Sequence, residues 1–139
     1  MKSRSMYLMI AEDDLDDRLL LKDALEENNF SSSDTQFAGN GEELITLLST
    51  ADQLPDLIML DLNMPKKDGR EALKEIRGNR EWKHIPIIIF TTSNDEKDIK
   101  YSYREGGNTF ITKPARFSDL VDTLGTLKTY WFEKAALAS

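Results

Sequence analysis

Apolar residues come in short runs, and each run stops on a residue able to do chemistry. Tyr7-Leu8-Met9-Ile10-Ala11 ends in Glu12, Asp13 and Asp14. Leu57-Ile58-Met59-Leu60, preceded by Pro55-Asp56, ends in Asp61. Ile87-Ile88-Ile89-Phe90 ends in Thr91-Thr92, and Phe110-Ile111 ends in Thr112-Lys113-Pro114. Runs without polar alternation read as strands covered on both faces. Strand-like segments begin near Tyr7, Asp34, Leu57, Ile87 and Thr109.

Helix-like stretches separate them. Leu15 to Asn28 carries Leu15, Leu19, Leu20 and Leu25 as its apolar positions, with acids in the first turn where the helix dipole favours them. Gly41 to Ser49 follows Asn40, and Asn40 with Glu43 has capping-box spacing. Gly69 to Arg77 gathers Ala72, Leu73 and Ile76 on one side. Ser93 with Glu96 predicts a second capping box, opening a helix through Glu105. The last helix is predicted from Phe117 to Phe132, with Leu120, Leu124, Leu127 and Trp131 on one stripe. Arg116 is a poor cap for it. Strict β-α alternation repeated five times predicts an α/β fold with right-handed crossovers and a mainly parallel sheet.

Composition narrows the picture. The chain has 139 residues, 40% hydrophobic and 31% charged, enough for one domain with a real core. The domain is expected to span 1–139, with 1–5 and 133–139 as tails and no output domain. A net charge of -7 argues against a general nucleic-acid binder. No cysteine is present, which removes disulfides and thiolate metal sites. Neither a signal peptide nor a membrane span is readable, so a cytoplasmic protein without membrane or DNA partners is expected.

If the strands are parallel, their ends meet on one edge, where open α/β sheets bind ligands. Two strands deliver carboxylates there, one a hydroxyl and one an ammonium. An acid such as Asp61 at a buried strand end has to be hydrated, paired or metal-bound, because an isolated buried carboxylate is very costly.

These residues, together with Leu62-Asn63-Met64-Pro65 and Asp68-Gly69, resemble a response-regulator receiver domain over the whole chain. The resemblance implies a flavodoxin-like, doubly wound (βα)5 fold with strand order 2-1-3-4-5. It implies that Asp61 accepts a phosphoryl group from a partner histidine kinase or phosphotransfer protein. Mg2+ would be held by Asp13 and Asp61 directly, by Glu12 through water, and by the backbone carbonyl of Asn63. Lys113 would bridge carboxylate and phosphoryl oxygens, with Pro114 holding it through a cis Lys113-Pro114 bond. Thr91 would bond the phosphoryl group, and Phe110, often tyrosine in the family, would swing inward as Thr91 moves. Gly69 would be structural. The surface of the fourth helix, fifth strand and fifth helix, with Tyr101, Tyr103, Phe110, Tyr130 and Trp131, would then bind a target or a second copy. The long last helix ending in Tyr130-Trp131-Phe132 is similar to stand-alone receivers paired with phytochrome-type kinases. Only self-phosphotransfer and slow autodephosphorylation are implied, so no enzyme is expected.

Other readings compete. A phosphohydrolase of the haloacid-dehalogenase kind needs a second aspartate two residues after the nucleophile, and Asn63 stands there. A phosphate-independent interaction module would need a degenerate site. Asp61 as a mere strand-end partner of Lys113 would make the Glu12-Asp13 pair a coincidence. Asp14 is placed one step outside the metal set, and Asp16 and Asp17 read as a solvated helix start. His84, the single histidine, reads as an inert loop residue.

Overall fold

The computed structural model describes residues 6–138. The expected tail at 1–5 and the last residue, 139, lie outside the described residues. Five strands alternate with five helices: β1 Leu8–Ala11, α1 Leu15–Glu27, β2 Thr35–Ala38, α2 Gly41–Thr50, β3 Leu57–Leu60, α3 Gly69–Arg77, β4 Ile87–Thr91, α4 Glu96–Arg104, β5 Thr109–Thr112 and α5 Phe117–Lys128. The sheet is parallel throughout, in the expected order β2-β1-β3-β4-β5.

The three continuous apolar runs, β1, β3 and β4, are buried along their whole length and occupy the centre. The edges, β2 and β5, are only partly covered. Successive strand residues face opposite sides, which divides the core in two. Met9, Ile58, Leu60, Ile87 and Ile89 pack with Leu44 and Leu48 of α2 and with Ala72, Leu73 and Ile76 of α3. Leu8, Ile10, Leu57, Met59, Ile88 and Phe90 pack with Leu21, Ala24 and Leu25 of α1 and with Leu120, Leu124 and Leu127 of α5. Among its residues α4 buries only Ser102. Few apolar contacts make it the helix least anchored to either core.

Four local expectations need correction. The core-facing stripe of α1 is Leu21, Ala24 and Leu25, whereas Leu15, Leu19 and Leu20 face outward, Leu15 at 70% exposure. Stepping back from Leu21 by four and from Leu25 by seven leads to Asp17 and Arg18, so the inward stripe turns polar in the first turn. The cap of α4 is Asp95, which accepts from Lys97 N at 2.9 Å, while Ser93 Oγ donates to Asp98 Oδ2 at 2.7 Å. At α2, Asn40 accepts from Glu43 N as expected, but Glu43 accepts from Gly39 N. The last α-helix ends at Lys128 and widens into a π-helical turn, Thr129–Lys134, that seats Trp131 and Phe132 on the second core. This accounts for two of the three terminal aromatics as packing; Tyr130 stays exposed.

Gly69 ties the fold to the strand end that matters. It opens α3, capped by Asp68, and its N–H donates to Leu62 O at 2.9 Å. A Cβ here would stand 2.0 Å from Asp61 O and 2.7 Å from Leu62 Cα, both backbone atoms. Gly69→Ala is therefore expected to cost about 3 kcal/mol, at the upper end of overpacking penalties. Urea unfolding measures this, and a loss below about 1 kcal/mol would mean that the loop yields cheaply.

Candidate functional site

Parallel pairing carries each functional residue one step past its strand on ladder-like hydrogen bonds. Glu12 N donates to Ala38 O at 2.9 Å, Asp61 N to Ala11 O at 3.2 Å, and Lys113 N to Thr91 O at 2.8 Å. The backbones of these three residues are thus fixed by the sheet, and their side chains converge above it.

Lys113 Nζ is the hub. It donates to Asp61 Oδ2 at 2.9 Å, to Asp17 Oδ2 at 3.2 Å, and to Glu12 Oε1. The other Glu12 oxygen accepts from Asp14 N at 3.1 Å, and Arg18 Nε donates to the Glu12 carbonyl at 2.8 Å. Glu12 is only 2% exposed and Asp61 6%. Burial pushes the Glu12 carboxyl above its ordinary range, and the hydrogen bond from Lys113 offsets this only in part. Lys113 feels burial against its own charge, but hydrogen bonds and charges from Glu12 and Asp61 outweigh it and raise its pKa. The ammonium therefore stays charged throughout the neutral range.

Carboxylate oxygens of Glu12, Asp13 and Asp61 lie within 4.8 Å of one another. The set is oxygen only and acidic, which suits a hard divalent cation. Both Glu12 oxygens already accept hydrogen bonds, so exposed Asp13 and the remaining Asp61 lone pairs are the freer donors. Asn63 is exposed, and its N–H donates to Asp61 Oδ1 at 3.2 Å, orienting that carboxylate. Asp14 caps α1 by accepting from Asp17 N at 3.0 Å, outside the cluster.

Thr91 ends β4 fully buried, while Thr92 is exposed. Thr91 Oγ1 accepts from Ser93 N at 3.5 Å, a long contact. Phe110 is half-buried against the first core, and its N–H donates to the Tyr103 hydroxyl at 3.1 Å. Pro114 is half-buried behind Lys113. No cis peptide bond occurs among the described residues, so the expected cis Lys113-Pro114 bond is instead trans. Trans is the intrinsically favoured isomer by about 0.5–1 kcal/mol. His84 is exposed in the turn between α3 and β4, away from the strand ends.

Two sets of contacts at the site were not picked out from the sequence. Asp17 was expected to be solvated, yet it reaches Lys113. The signal was the helical stripe through Leu21 and Ala24, continued back by one and two turns. The second set ties down the β4–α4 loop: Ser93 Oγ donates to Asp98, which also accepts from Arg70 Nη2 at 2.7 Å, and Thr112 Oγ1 donates to Ser93 O at 3.2 Å. Hydrogen bonds from Arg70, then Ser93, hold the Asp98 carboxyl below its usual range. A lowered carboxyl pKa stabilises the fold above its unfolded value, near 3.8, and that gain is lost as pH falls through the folded value. Asp98→Asn is expected to cost about 1 kcal/mol at pH 7. The gap from the parent should close towards pH 3, as read by urea unfolding at both pH values; a pH-independent gap would assign the loss to packing.

Comparison with known proteins matches the geometry. The family described as "Response regulator receiver domain" matches residues 8–125. Response regulator Rcp1 of Synechocystis is 43% identical over 83 residues, covering 60% of this chain and 56% of Rcp1. Chemotaxis protein CheY-3 of Vibrio cholerae is 30% identical over 122 residues, covering 88% of this chain and 91% of that protein. The structure of the phosphorylated cyanobacterial phytochrome response regulator RcpA superposes with a TM-score of 0.89 at 34% identity, covering 98% of this chain and all of RcpA. The Mn2+-bound form of Rcp1 gives 0.83 at 32% identity, covering 96% of this chain and 99% of Rcp1. Fold, strand-end chemistry and sequence agree: the chain belongs to the response regulator receiver domain family and is similar to its phytochrome-type members.

Proposed function

We propose that this chain is a response regulator that accepts a phosphoryl group on Asp61 from a histidine kinase, with Mg2+, and responds on its α4-β5-α5 surface. The observation that carries the reading is Asp61 itself: buried at 6%, bonded to Lys113 at 2.9 Å, and grouped with Glu12 and Asp13. When bound, Mg2+ would be held by Asp13 and Asp61, with Glu12 behind and the Asn63 carbonyl beside them, and would neutralise charge on the phosphoryl oxygens.

An Asp61 carboxylate oxygen attacks phosphorus of the donor phosphohistidine. The P–O bond forms as the P–N bond breaks, and the bonding pair leaves on the imidazole nitrogen. Lys113, already on Asp61 Oδ2, shifts a donor to the arriving oxygens as a point charge. Hydrolysis reverses the gain: water oxygen attacks phosphorus, the Asp61–phosphorus bond breaks, and inorganic phosphate departs. No external substrate is turned over. Leu15 and Leu19, one turn apart on the outer face of α1 and beside the acids, offer the protein donor an apolar contact.

The response follows the hydrogen bonds. Thr91 moves toward the phosphoryl group and gives up its long contact with Ser93 N. Ser93 is bonded to α4 through Asp98 and to β5 through Thr112, so both elements feel the change. Phe110 then turns inward behind Thr91. Among the described residues Tyr103 of α4 and Phe117 of α5 are exposed aromatics offered to a target or a second copy, and exposed Tyr130 follows α5 in the π-helical turn. The test is intact-mass measurement after incubation with phosphoramidate. A gain of one phosphoryl group that needs Mg2+ and vanishes with EDTA is expected, and no gain at saturating donor and metal would overturn the reading.

A further inference from the structure

An ammonium has three N–H donors, and in Lys113 all three are occupied by carboxylates, those of Glu12, Asp61 and Asp17. The three acceptors differ in kind. Glu12 and Asp61 sit on strand ends with side chains 3% and 8% exposed, whereas Asp17 rides on α1 with 37% exposed. Asp17 occupies the third helical position, and its backbone N–H is held by the Asp14 cap at 3.0 Å. An acid there usually reaches back to the cap or faces water. Here it turns inward, on the stripe that deeper in the helix buries Leu21 and Ala24.

We propose that Asp17 is a positioning residue for phosphoryl exchange: it holds the third donor of Lys113 in the resting state and competes with an arriving phosphoryl group for it. The inference rests on the receiver reading of Asp61. On phosphorylation Asp61 loses its formal charge, and the phosphoryl group brings close to two negative charges. Those oxygens need Lys113. Asp17 draws the same ammonium toward solvent and places a like charge on the far side of it. Glu12 cannot yield, because its second oxygen is also engaged and the residue is buried. Asp17 is the partner free to yield, and its carboxylate sets how strongly the site resists the anion.

The test is beryllofluoride binding at saturating Mg2+, followed by 19F NMR, with Mg2+ affinity measured separately by calorimetry. Asp17→Asn and Asp17→Ala are expected to bind beryllofluoride about fivefold more tightly, the size of one exposed charge contact. Asp17→Glu should restore the parent value, and Asp16→Asn, on the exposed neighbour, should leave it unchanged. A purely structural Asp17 would give weaker binding and a lower Tm instead. Unchanged or weaker binding in Asp17→Asn, or an equal gain in Asp16→Asn, overturns the proposal while the receiver reading stands. A parent protein that binds no beryllofluoride and takes no phosphoryl group overturns both.

Discussion

Asp61→Asn is expected to take up no measurable phosphoryl group from phosphoramidate, a loss of at least about a thousandfold, while the fold survives. The amide keeps the shape but has no carboxylate oxygen to attack phosphorus. Its single carbonyl oxygen can take the place of Oδ2 and still accept from Lys113, while the amide nitrogen replaces Oδ1 and gives up the bond from Asn63 N, which is exposed and turns to water. Lys113 also keeps Glu12 and Asp17, so no buried ammonium is left unpaired. Four acids, Glu12, Asp13, Asp17 and Asp61, now surround or adjoin one lysine, and removing one charge relieves their repulsion. Stability is therefore expected to stay within about 1 kcal/mol of the parent, or to rise. Divalent-cation affinity should fall about tenfold, because one of three ligating carboxylates has lost its charge. Intact mass, urea unfolding and calorimetry separate the three effects. Phosphoryl uptake persisting at the parental rate would place the acceptor elsewhere.

What the sequence made legible depended on whether inward meant apolar. The centre of the sheet was readable because β1, β3 and β4 carry continuous apolar runs and lie where both faces are covered. The bounds of α3 were readable because cap, glycine and apolar side agree: Asp68, then Gly69, then Ala72, Leu73 and Ile76. In α1 the rule failed. Leu15, Leu19 and Leu20 drew the apolar face to the wrong side, since the inward positions of the first turn hang over the sheet edge, where Lys113 and the Glu12 carbonyl need polar partners. The same displacement hid Asp17. At α4, Ser93 has the spacing of a cap, but Asp95 captures the helix start and frees Ser93 for Asp98. The strand ends were legible as a set of chemical groups. Which acid holds which donor of Lys113 is a matter of reach across about 100 residues of chain and leaves no local pattern. The roles of Thr91 and Phe110 came from family resemblance, because a hydroxyl and a ring at strand positions also suit ordinary packing.

Lys113→Met is expected to be the most destabilising change at the site, and conditionally so. Methionine fills the space of the lysine stem but supplies no charge. Glu12 and Asp61, 2% and 6% exposed, would then face each other and Asp13 without a cation. Breaking a buried pair from one side costs about 3–5 kcal/mol, since the remaining charge is uncompensated. The penalty carries a pH sign. The Glu12 carboxyl is already raised by burial, and losing Lys113 removes the hydrogen bond and charge that hold it down. A carboxyl whose folded pKa exceeds its unfolded value destabilises the fold above the unfolded value, and the penalty fades as pH falls through the folded one. The gap between Lys113→Met and parent should therefore narrow from pH 7 to pH 5. Mg2+ should narrow it as well. The acids freed of Lys113 bind the cation more tightly than the parent does, and at saturating Mg2+ the gap narrows by about 1.4 kcal/mol for each tenfold difference in affinity. Urea unfolding at pH 7 with EDTA, at pH 7 with Mg2+, and at pH 5 reads all three conditions. A loss that ignores both protons and metal would reduce Lys113 to a packing residue. A loss rescued by either one makes it the resting counter-ion of an acidic site that a divalent cation can share.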